Sequence, residues 1–172
     1  MNGADPVANL TMMDLADVER AVGGRLHGAN ARFQGVTTDS RKVAAGDLFV
    51  ALQGERFDGN AYVAEALARG AVAAITSRLV AAEGPAPQVV VADTRLALGR
   101  LAAHWRGRFA LPVVALTGSN GKTTVKEMLA AILAAHFGER DFVLATEGNL
   151  NNDIGMPLTL LRLREHHRAA VV

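Results

Sequence analysis

Residues 111–124 read LPVVALTGSNGKTT, and this stretch decides the fold of the second half of the chain. Residues 111–116 are almost all apolar, a run of strand length, and glycines follow at positions 118 and 121. Apolar residues then recur at helical spacing up to Gly138, which is typical of a helix end. The stretch therefore predicts a buried strand, a glycine-bearing turn and a helix from about Lys122 to His136.

This strand–turn–helix context indicates a phosphate-binding loop. Glycines let backbone N–H groups turn toward a polyphosphate, and the helix N-terminus adds unsatisfied donors and partial positive charge. Lys122 can reach the β- and γ-phosphate oxygens, and the Thr123 hydroxyl can bind the Mg²⁺ that bridges them. We therefore expect ATP and Mg²⁺ here, with Lys122 as the catalytic cation and Thr123 as the metal ligand. The expected nucleotide-binding residues are Gly118, Ser119, Asn120, Gly121, Lys122, Thr123 and Thr124.

The loop departs from the general nucleotide-binding pattern. Leu116 stands five residues before Gly121, where that pattern has its first glycine, so the loop reads G-x-x-G-K-T. A shorter loop surrounds fewer phosphate oxygens. In the alternative interpretation, Gly118 and Gly121 form only a tight turn and Lys122 points into solvent.

Strands and helices continue to alternate after this loop. We expect further strands at 142–145 and from Ala169, with a helix at 158–164 between them, which together predict a parallel sheet. On the helix that follows the loop, Lys126 and Glu127 are expected on the exposed face. The expected buried stripe of that helix is Val125, Met128, Leu129, Ile132 and Leu133.

The first half of the chain has the same alternation. Strands are expected at 48–52, 71–75 and 89–91, with a helix at 60–69 between the first two. Thr11 and Thr94 are the expected N-caps of two further helices. The sequence therefore predicts an α/β fold in two parts: a small α/β domain over 1–93 and the first part of a parallel-sheet nucleotide-binding domain over 94–172.

Composition excludes several classes of protein. The formal net charge is only +1, which does not indicate nucleic acid as a partner. The absence of cysteine excludes disulfides and thiolate sites, and no apolar run has the length of a membrane span. We expect a cytoplasmic monomer without membrane insertion. The chain stops within the apolar run 169–172, from which we expect it to be a piece of a longer protein.

Several motifs together resemble the Mur ligase family, most closely the members that join D-alanyl-D-alanine to UDP-N-acetylmuramoyl-tripeptide. One departure is Asn60, where the family commonly has histidine. The matching segments are ALTGSNGKTTVKEM at 115–128, TDSR at 38–41, GDLFVAL at 46–52, GERFDG at 54–59 and TEGNLNNDIGMP at 146–157.

The resemblance implies an N-terminal domain that holds the UDP end of the substrate, a central ATPase domain and a C-terminal domain beyond this chain. In the family, the substrate carboxylate takes the γ-phosphoryl group of ATP, and the amine of D-alanyl-D-alanine attacks the resulting acyl phosphate. The implied substrate-binding residues are Asp39, Ser40, Arg41, Phe57, Asn149, Asn151 and Asn152.

The same polar residues have ordinary alternatives. Asp39 and Ser40 could form a turn with Arg41 in solvent, and the asparagines could cap a helix without contacting a ligand. A rival function is a stand-alone nucleotide-binding module or phosphotransferase, which would leave a stable phosphorylated product instead of a new amide bond.

Overall fold

The computed structural model describes residues 11–54, 57–81, 86–148 and 152–172. The chain divides into two compact units, Met1–Leu101 and Ala102–Val172. The predicted boundary near residue 93 lies just before the helix Thr94–Arg106, whereas the division falls inside this helix. Its early residues bond within the first unit, because Arg100 donates to the Val22 carbonyl at 3.0 Å. Near its end, the Trp105 indole donates to Leu163 of the second unit at 3.1 Å.

The first unit is an α/β arrangement of short elements. They are β1 (Met13–Asp14), α1 (Leu15–Val22), β2 (Arg25–His27), β3 (Arg32–Phe33), β4 (Gly35–Thr37), β5 (Asp47–Val50), β6 (Gln53–Gly54), β7 (Phe57–Asp58), α2 (Val63–Ala68), β8 (Ala73–Thr76), β9 (Gln88–Val90) and α3 (Thr94–Arg106). Two 3-10 turns, Ser40–Lys42 and Gly59–Tyr62, precede β5 and α2.

A five-stranded sheet in the order β2-β9-β8-β5-β4 forms the centre of the first unit. Four of its strands are parallel, and β2 joins the edge antiparallel to β9. The central strands β5 and β8 are apolar without alternation, and Leu48, Phe49 and Ile75 are at most 1% exposed. Such runs are typical of parallel strands covered on both faces. On one face, Phe49 packs in a cluster with Val63 and Ala66 of α2.

The second unit contains the predicted alternation of strands and helices. Its elements after α3 are β10 (Val113–Val114), α4 (Lys122–Phe137), β11 (Val143–Ala145), α5 (Gly155–Leu160) and β12 (Ala169–Val171). The three strands are parallel in the order β10-β12-β11, so the α/β prediction is confirmed. The first strand is shorter than the predicted 111–116.

The face that α4 turns toward the sheet agrees only in part with the predicted one. Lys126 and Ala130 are buried, so the expectation that Lys126 lies on the exposed face is wrong, whereas Glu127 is exposed as predicted. Residues 128–135 are all apolar, so their spacing cannot indicate which side is buried. Leu129, Leu133, Ala134 and Phe137 pack on the core, while Val125, Met128 and Ile132 of the predicted stripe are 49%, 60% and 62% exposed.

Aspartates, not the predicted threonines, cap two helices. The Asp14 carboxylate accepts from the Asp17 N–H at the start of α1, where Thr11 was expected to be the cap. At the start of α3, Asp93 accepts from two backbone N–H groups, at 2.8 and 2.9 Å. The Oγ1 atom of Thr94 is buried and has no hydrogen-bond partner among the described residues. Each predicted cap therefore lies one or more residues from the true one.

Candidate functional site

The predicted phosphate loop connects β10 to α4, and residues 117–121 are exposed. Gly118 and Gly121 have φ values of 146° and 77°, in the region that glycine adopts without strain. An L-residue with a side chain would strain the loop at either position. The two glycines are therefore required by the path of the backbone, with the neighbouring Ser119 and Asn120 exposed at the tip of the loop.

The N-terminus of α4 has no side-chain cap. Its N-cap residue is Gly121, and no described side chain accepts a capping hydrogen bond there. The first N–H groups of a helix have no acceptor inside the helix, and the helix dipole places partial positive charge beside them. This helix end consequently offers donors to an anion, whereas α1 and α3 carry an aspartate at the same place.

Lys122 is the first residue of α4, and its Nζ donates to the carbonyl of Gly118. The ammonium group is therefore held across the loop, close to the uncapped helix end. Thr123 and Thr124 follow it and are exposed. The arrangement places one cation, two hydroxyl groups and the donors of a helix end in one turn of chain, which fits a nucleotide polyphosphate.

A small cavity of about 40 Å³ opens beside this loop. Lys122 and Thr123 line it from α4, and Thr146 and Gly148 line it from the end of β11. The buried Lys126 lines the same cavity, and its Nζ donates to the Thr146 carbonyl. The site therefore contains a second lysine, which sequence analysis assigned to solvent.

Of the three asparagines predicted to contact substrate after β11, only Asn152 lies within the described residues. Asn149 and Asn151 lie outside the described residues. Asn152 is exposed, and its Oδ1 accepts from the N–H groups of Ile154 and Gly155 at 3.2 and 2.7 Å. It thus caps the turn that leads into α5, which is the ordinary alternative for an asparagine here. The proposed substrate contact of Asn152 remains a prediction.

A pocket of about 540 Å³ in the first unit brings together four of the predicted substrate residues. The Arg41 side chain forms two 2.8 Å hydrogen bonds to Asp39, through Nε and Nη2. This guanidinium lowers the pKa of the Asp39 carboxyl to about 2, and Asp39 in turn raises the pKa of Arg41. Arg41 is thus held in one orientation although its side chain is 78% exposed. The described lining residues are Thr38, Asp39, Ser40, Arg41, Phe49, Phe57, Tyr62 and Glu65.

An aromatic pair forms part of the same pocket. The rings of Phe57 and Tyr62 stack with centroids 5.3 Å apart and planes 16° from parallel, and the residues are 49% and 40% exposed. Glu65 accepts from Ser40 Oγ at 3.3 Å. Sequence reasoning missed Tyr62 and Glu65, although an aromatic residue five positions after Phe57, near the start of α2, was an available signal. The pocket combines a flat apolar surface with charged groups, which suits an aromatic base with an anionic tail.

Asn60, the departure from the family pattern, is 1% exposed and supports the loop that follows β7. Its Nδ2 donates to Asp58 Oδ1 at 2.6 Å and to Ser77 Oγ at 2.8 Å, and its Oδ1 accepts from the Ser77 N–H at 3.1 Å. Hydrogen bonds to Asp58 from the Asn60 side chain, from Arg78 and from the Asn60 backbone N–H hold the pKa of Asp58 below its usual value. Asn60 therefore links the loop after β7 to the end of β8.

Two family models match the chain. The first is the Mur ligase family, catalytic domain, over residues 32–106, and the second is the Mur ligase middle domain, over residues 116–172. The chain belongs to the Mur ligase family. The pocket of the first unit falls within the first match, and the phosphate loop falls within the second.

Curated Mur ligases are similar to this chain over most of its length. The UDP-N-acetylmuramoyl-tripeptide--D-alanyl-D-alanine ligase of Escherichia coli (strain K12) is 49% identical over 95% of the chain, which corresponds to 34% of that relative. The ligase of the same name from Bacillus subtilis (strain 168) is 41% identical over 80% of the chain and 30% of the relative. The chain thus spans about a third of the length of the relatives it matches.

Solved Mur ligase structures confirm the fold. MurF from Acinetobacter baumannii matches with a TM-score of 0.81 and 44% identity, over 91% of this chain and 34% of that one. MurF ligase from Thermotoga maritima, solved in complex with ADP, matches with a TM-score of 0.66 and 35% identity, over 80% of this chain and 31% of that one. Along the described parts of this Mur ligase chain, no helix has the length and apolar character needed to cross a bilayer.

Proposed function

We propose that the protein is an ATP-dependent ligase that joins D-alanyl-D-alanine to UDP-N-acetylmuramoyl-tripeptide, a step in the synthesis of peptidoglycan precursors. The observation that carries this proposal is the uncapped N-terminus of α4 with Lys122 as its first residue. The identity to ligases named for that reaction supports the choice of substrates. ATP and UDP-linked precursors are held inside the cell, so the proposed reaction is cytoplasmic.

In this proposal the second unit binds the triphosphate of ATP. Backbone N–H groups of the loop and of the first turn of α4 would bind phosphate oxygens, and the Lys122 ammonium would leave the Gly118 carbonyl for them. Thr123 would hold Mg²⁺ by its hydroxyl. Mg²⁺ at nucleotide sites is bound by one or two protein ligands together with phosphate oxygens and water, so a single threonine hydroxyl is a suitable contribution from this loop.

The proposed chemistry runs in two steps. An oxygen of the substrate carboxylate bonds to the γ-phosphorus while the bond to the leaving ADP breaks, which gives an acyl phosphate. The free amine of D-alanyl-D-alanine then attacks the acyl carbon, phosphate leaves, and the amine loses a proton to give the amide. Lys122 would stabilise the negative charge on the transferred phosphoryl group, a task of positioning and electrostatics.

The first unit would bind the UDP end of the acceptor substrate. Arg41 is oriented by Asp39 and exposed, so it can meet a diphosphate without first becoming ordered. Phe57, stacked on Tyr62, offers a flat surface for the uracil ring. Ser40 and Glu65 lie in the same pocket with polar atoms that can bind the base or the ribose.

The phosphate site is tested with Lys122→Ala in the full-length protein. We expect calorimetry to show loss of ATP binding without loss of the folded state, while Arg140→Ala, at a residue whose side chain is 87% exposed, leaves it unchanged. Unchanged ATP affinity and turnover in Lys122→Ala would remove Lys122 from its role. A stable phosphorylated product with no amide bond would favour the phosphotransferase instead.

The substrate pocket is tested with Arg41→Ala. The UDP-sugar peptide should bind more weakly while ATP binds as before, because the two sites lie in different units. Arg20→Ala is the matched control, since it removes the same charge from an exposed helix position outside the pocket. If Arg41→Ala left both affinities unchanged, the first unit would not be the UDP site.

A further inference from the structure

Lys126 is a buried cation that the proposed mechanism does not yet use. Its side chain is 8% exposed, and its Nζ donates to the Thr146 carbonyl. The nearest carboxylate oxygen, on Glu127, lies 3.2 Å away on a side chain that is 54% exposed. Burying an ammonium group is unfavourable unless partners replace its hydration. A neutral residue would fill this position without that cost, so the charge itself calls for an explanation.

The position of the ammonium group points to the phosphate site. Lys126 follows Lys122 by four residues, so both lie on one face of α4, one turn apart. Helical side chains lean toward the helix N-terminus, which brings the Lys126 ammonium back toward the loop. Both lysines line the cavity of about 40 Å³ at that helix end.

The residues that line the cavity favour an anion over a cation. Two lysines and Thr123 contribute to it, and none of the described residues around it is acidic. An ammonium group has three N–H donors, of which the Thr146 carbonyl and Glu127 engage two. An anionic oxygen entering the cavity could therefore accept a hydrogen bond from Lys126 without displacing either partner.

We propose that Lys126 is a second phosphate-binding lysine, which contacts the terminal phosphoryl group of ATP beside Lys122. This inference rests on the proposed function of the loop. Lys122, at the start of the helix, would contact the β- and γ-phosphates, and Lys126, which is bonded to the end of β11, would contact the γ-phosphate from the sheet side of the cavity. Two cations share the charge that spreads over the γ-phosphoryl oxygens during transfer. ADP lacks those oxygens, so Lys126 contributes to ATP binding and not to ADP binding.

The competing explanation is that Lys126 only ties α4 to the end of β11 through Thr146. Two variants separate the explanations. Lys126→Gln removes the charge but keeps an amide N–H that can reach the Thr146 carbonyl, and Lys126→Met removes both. Glu127→Gln is the matched control on the same turn, because it changes a charge by one unit and leaves the ammonium group in place.

The experiment uses calorimetry on the full-length protein. It measures the dissociation constants of a non-hydrolysable ATP analogue and of ADP, each with Mg²⁺. Losing one charge-assisted hydrogen bond should weaken the analogue about tenfold or more in Lys126→Gln and Lys126→Met. The affinity for ADP should change less than about twofold, since the β-phosphate keeps Lys122 and the helix end. Glu127→Gln should bind both nucleotides at least as well as the unmodified protein.

Two results would overturn the proposal. Equal weakening of both nucleotides would show that Lys126 shapes the loop and does not contact the γ-phosphate. Wild-type behaviour of Lys126→Gln would show that the tie to Thr146 is its whole role. If Lys126→Met did not fold, the affinities of Lys126→Gln alone would decide between the two explanations. If the unmodified protein did not bind the analogue, or if Lys122→Ala bound it normally, the proposed function itself would fail.

Discussion

The replacement of Asn60 by alanine should destabilise the first unit through a defined set of lost hydrogen bonds. The amide of Asn60 donates to Asp58 and to Ser77 Oγ, and accepts from the Ser77 N–H. Alanine removes all three contacts from a residue that is 1% exposed. The Ser77 N–H then loses its acceptor in a partly buried place, whereas Asp58 can be hydrated.

The expected cost follows from these contacts. Each hydrogen bond contributes a net ~1 kcal/mol, and the bond to Asp58 counts for less because water can replace it. We therefore expect the free energy of unfolding to fall by about 2–3 kcal/mol. The pKa of Asp58 should rise toward its usual value, since hydrogen bonding from Asn60 is the main cause of its lowering.

Urea unfolding followed by far-UV circular dichroism measures the change, and native-state hydrogen exchange at Ser77 localises it. Asn30→Ala is the matched control, because Asn30 is exposed and makes two hydrogen bonds, one accepted from the Ala16 N–H at 3.1 Å and one to the Asp14 carboxylate. It should cost less than about 1 kcal/mol. A loss below about 0.5 kcal/mol for Asn60→Ala, with unchanged Ser77 exchange, would refute the reasoning.

Three further outcomes are expected. The pKa of Asp39 is lowered from 3.8 to about 2 by its pairing with Arg41. This pairing therefore stabilises the fold above pH 3.8, and the stabilisation is lost as the pH falls through about 2. Arg41→Ala should return the pKa of Asp39 toward 3.8 in a carboxyl NMR titration. Thr94→Val should leave thermal stability unchanged or raise it by up to about 1 kcal/mol, because the lost hydroxyl is buried and unpaired among the described residues, whereas Asp93→Ala should cost about 1 kcal/mol. Trp105→Phe should cost ~1 kcal/mol in urea unfolding, because the Leu163 carbonyl loses the indole N–H and keeps only the Arg164 guanidinium as a side-chain donor.

The sequence was sufficient where a local rule has one physical outcome. Glycines followed by Lys122 between a strand and a helix predict the turn, because few other residues tolerate φ values of 146° and 77°. The parallel sheets follow from strands and helices that alternate with crossover-length connections. Those two features were confirmed, and they place the candidate phosphate site before any side chain is known.

The sequence was insufficient where several local solutions compete. Thr94 and Asp93 are both good N-caps, and only the structure shows that the carboxylate of Asp93 accepts the bonds. α4 is apolar on most sides, so its buried face depends on the strands that it meets, which spacing does not specify. Lys126 was assigned to solvent for the same reason, although a long aliphatic stem can be buried beside its charged end.

The candidate pocket of the first unit shows the same limit. Asp39, Ser40 and Arg41 are adjacent in the chain, so one motif identifies them. Tyr62 and Glu65 join them only through the turn of chain between β7 and α2, a relationship in space that no local pattern contains. The bonds from Asn60 that hold this turn reach Ser77, 17 residues further along.

Gly59 and Gly121 exclude an L-residue for different physical reasons, and chemical synthesis with D-amino acids can distinguish these reasons. A methyl group at Gly59 would lie 2.5 Å from the Leu52 carbonyl oxygen, so no L-residue fits there without a shift of the backbone. At Gly121 an L-methyl group would meet nothing within 4 Å, so only the positive φ of 77°, which a D-residue adopts readily, excludes L-alanine. A semisynthetic protein with D-alanine at 121 should therefore fold with an undistorted loop, and its extra methyl group would become a probe of how closely a ligand approaches the backbone.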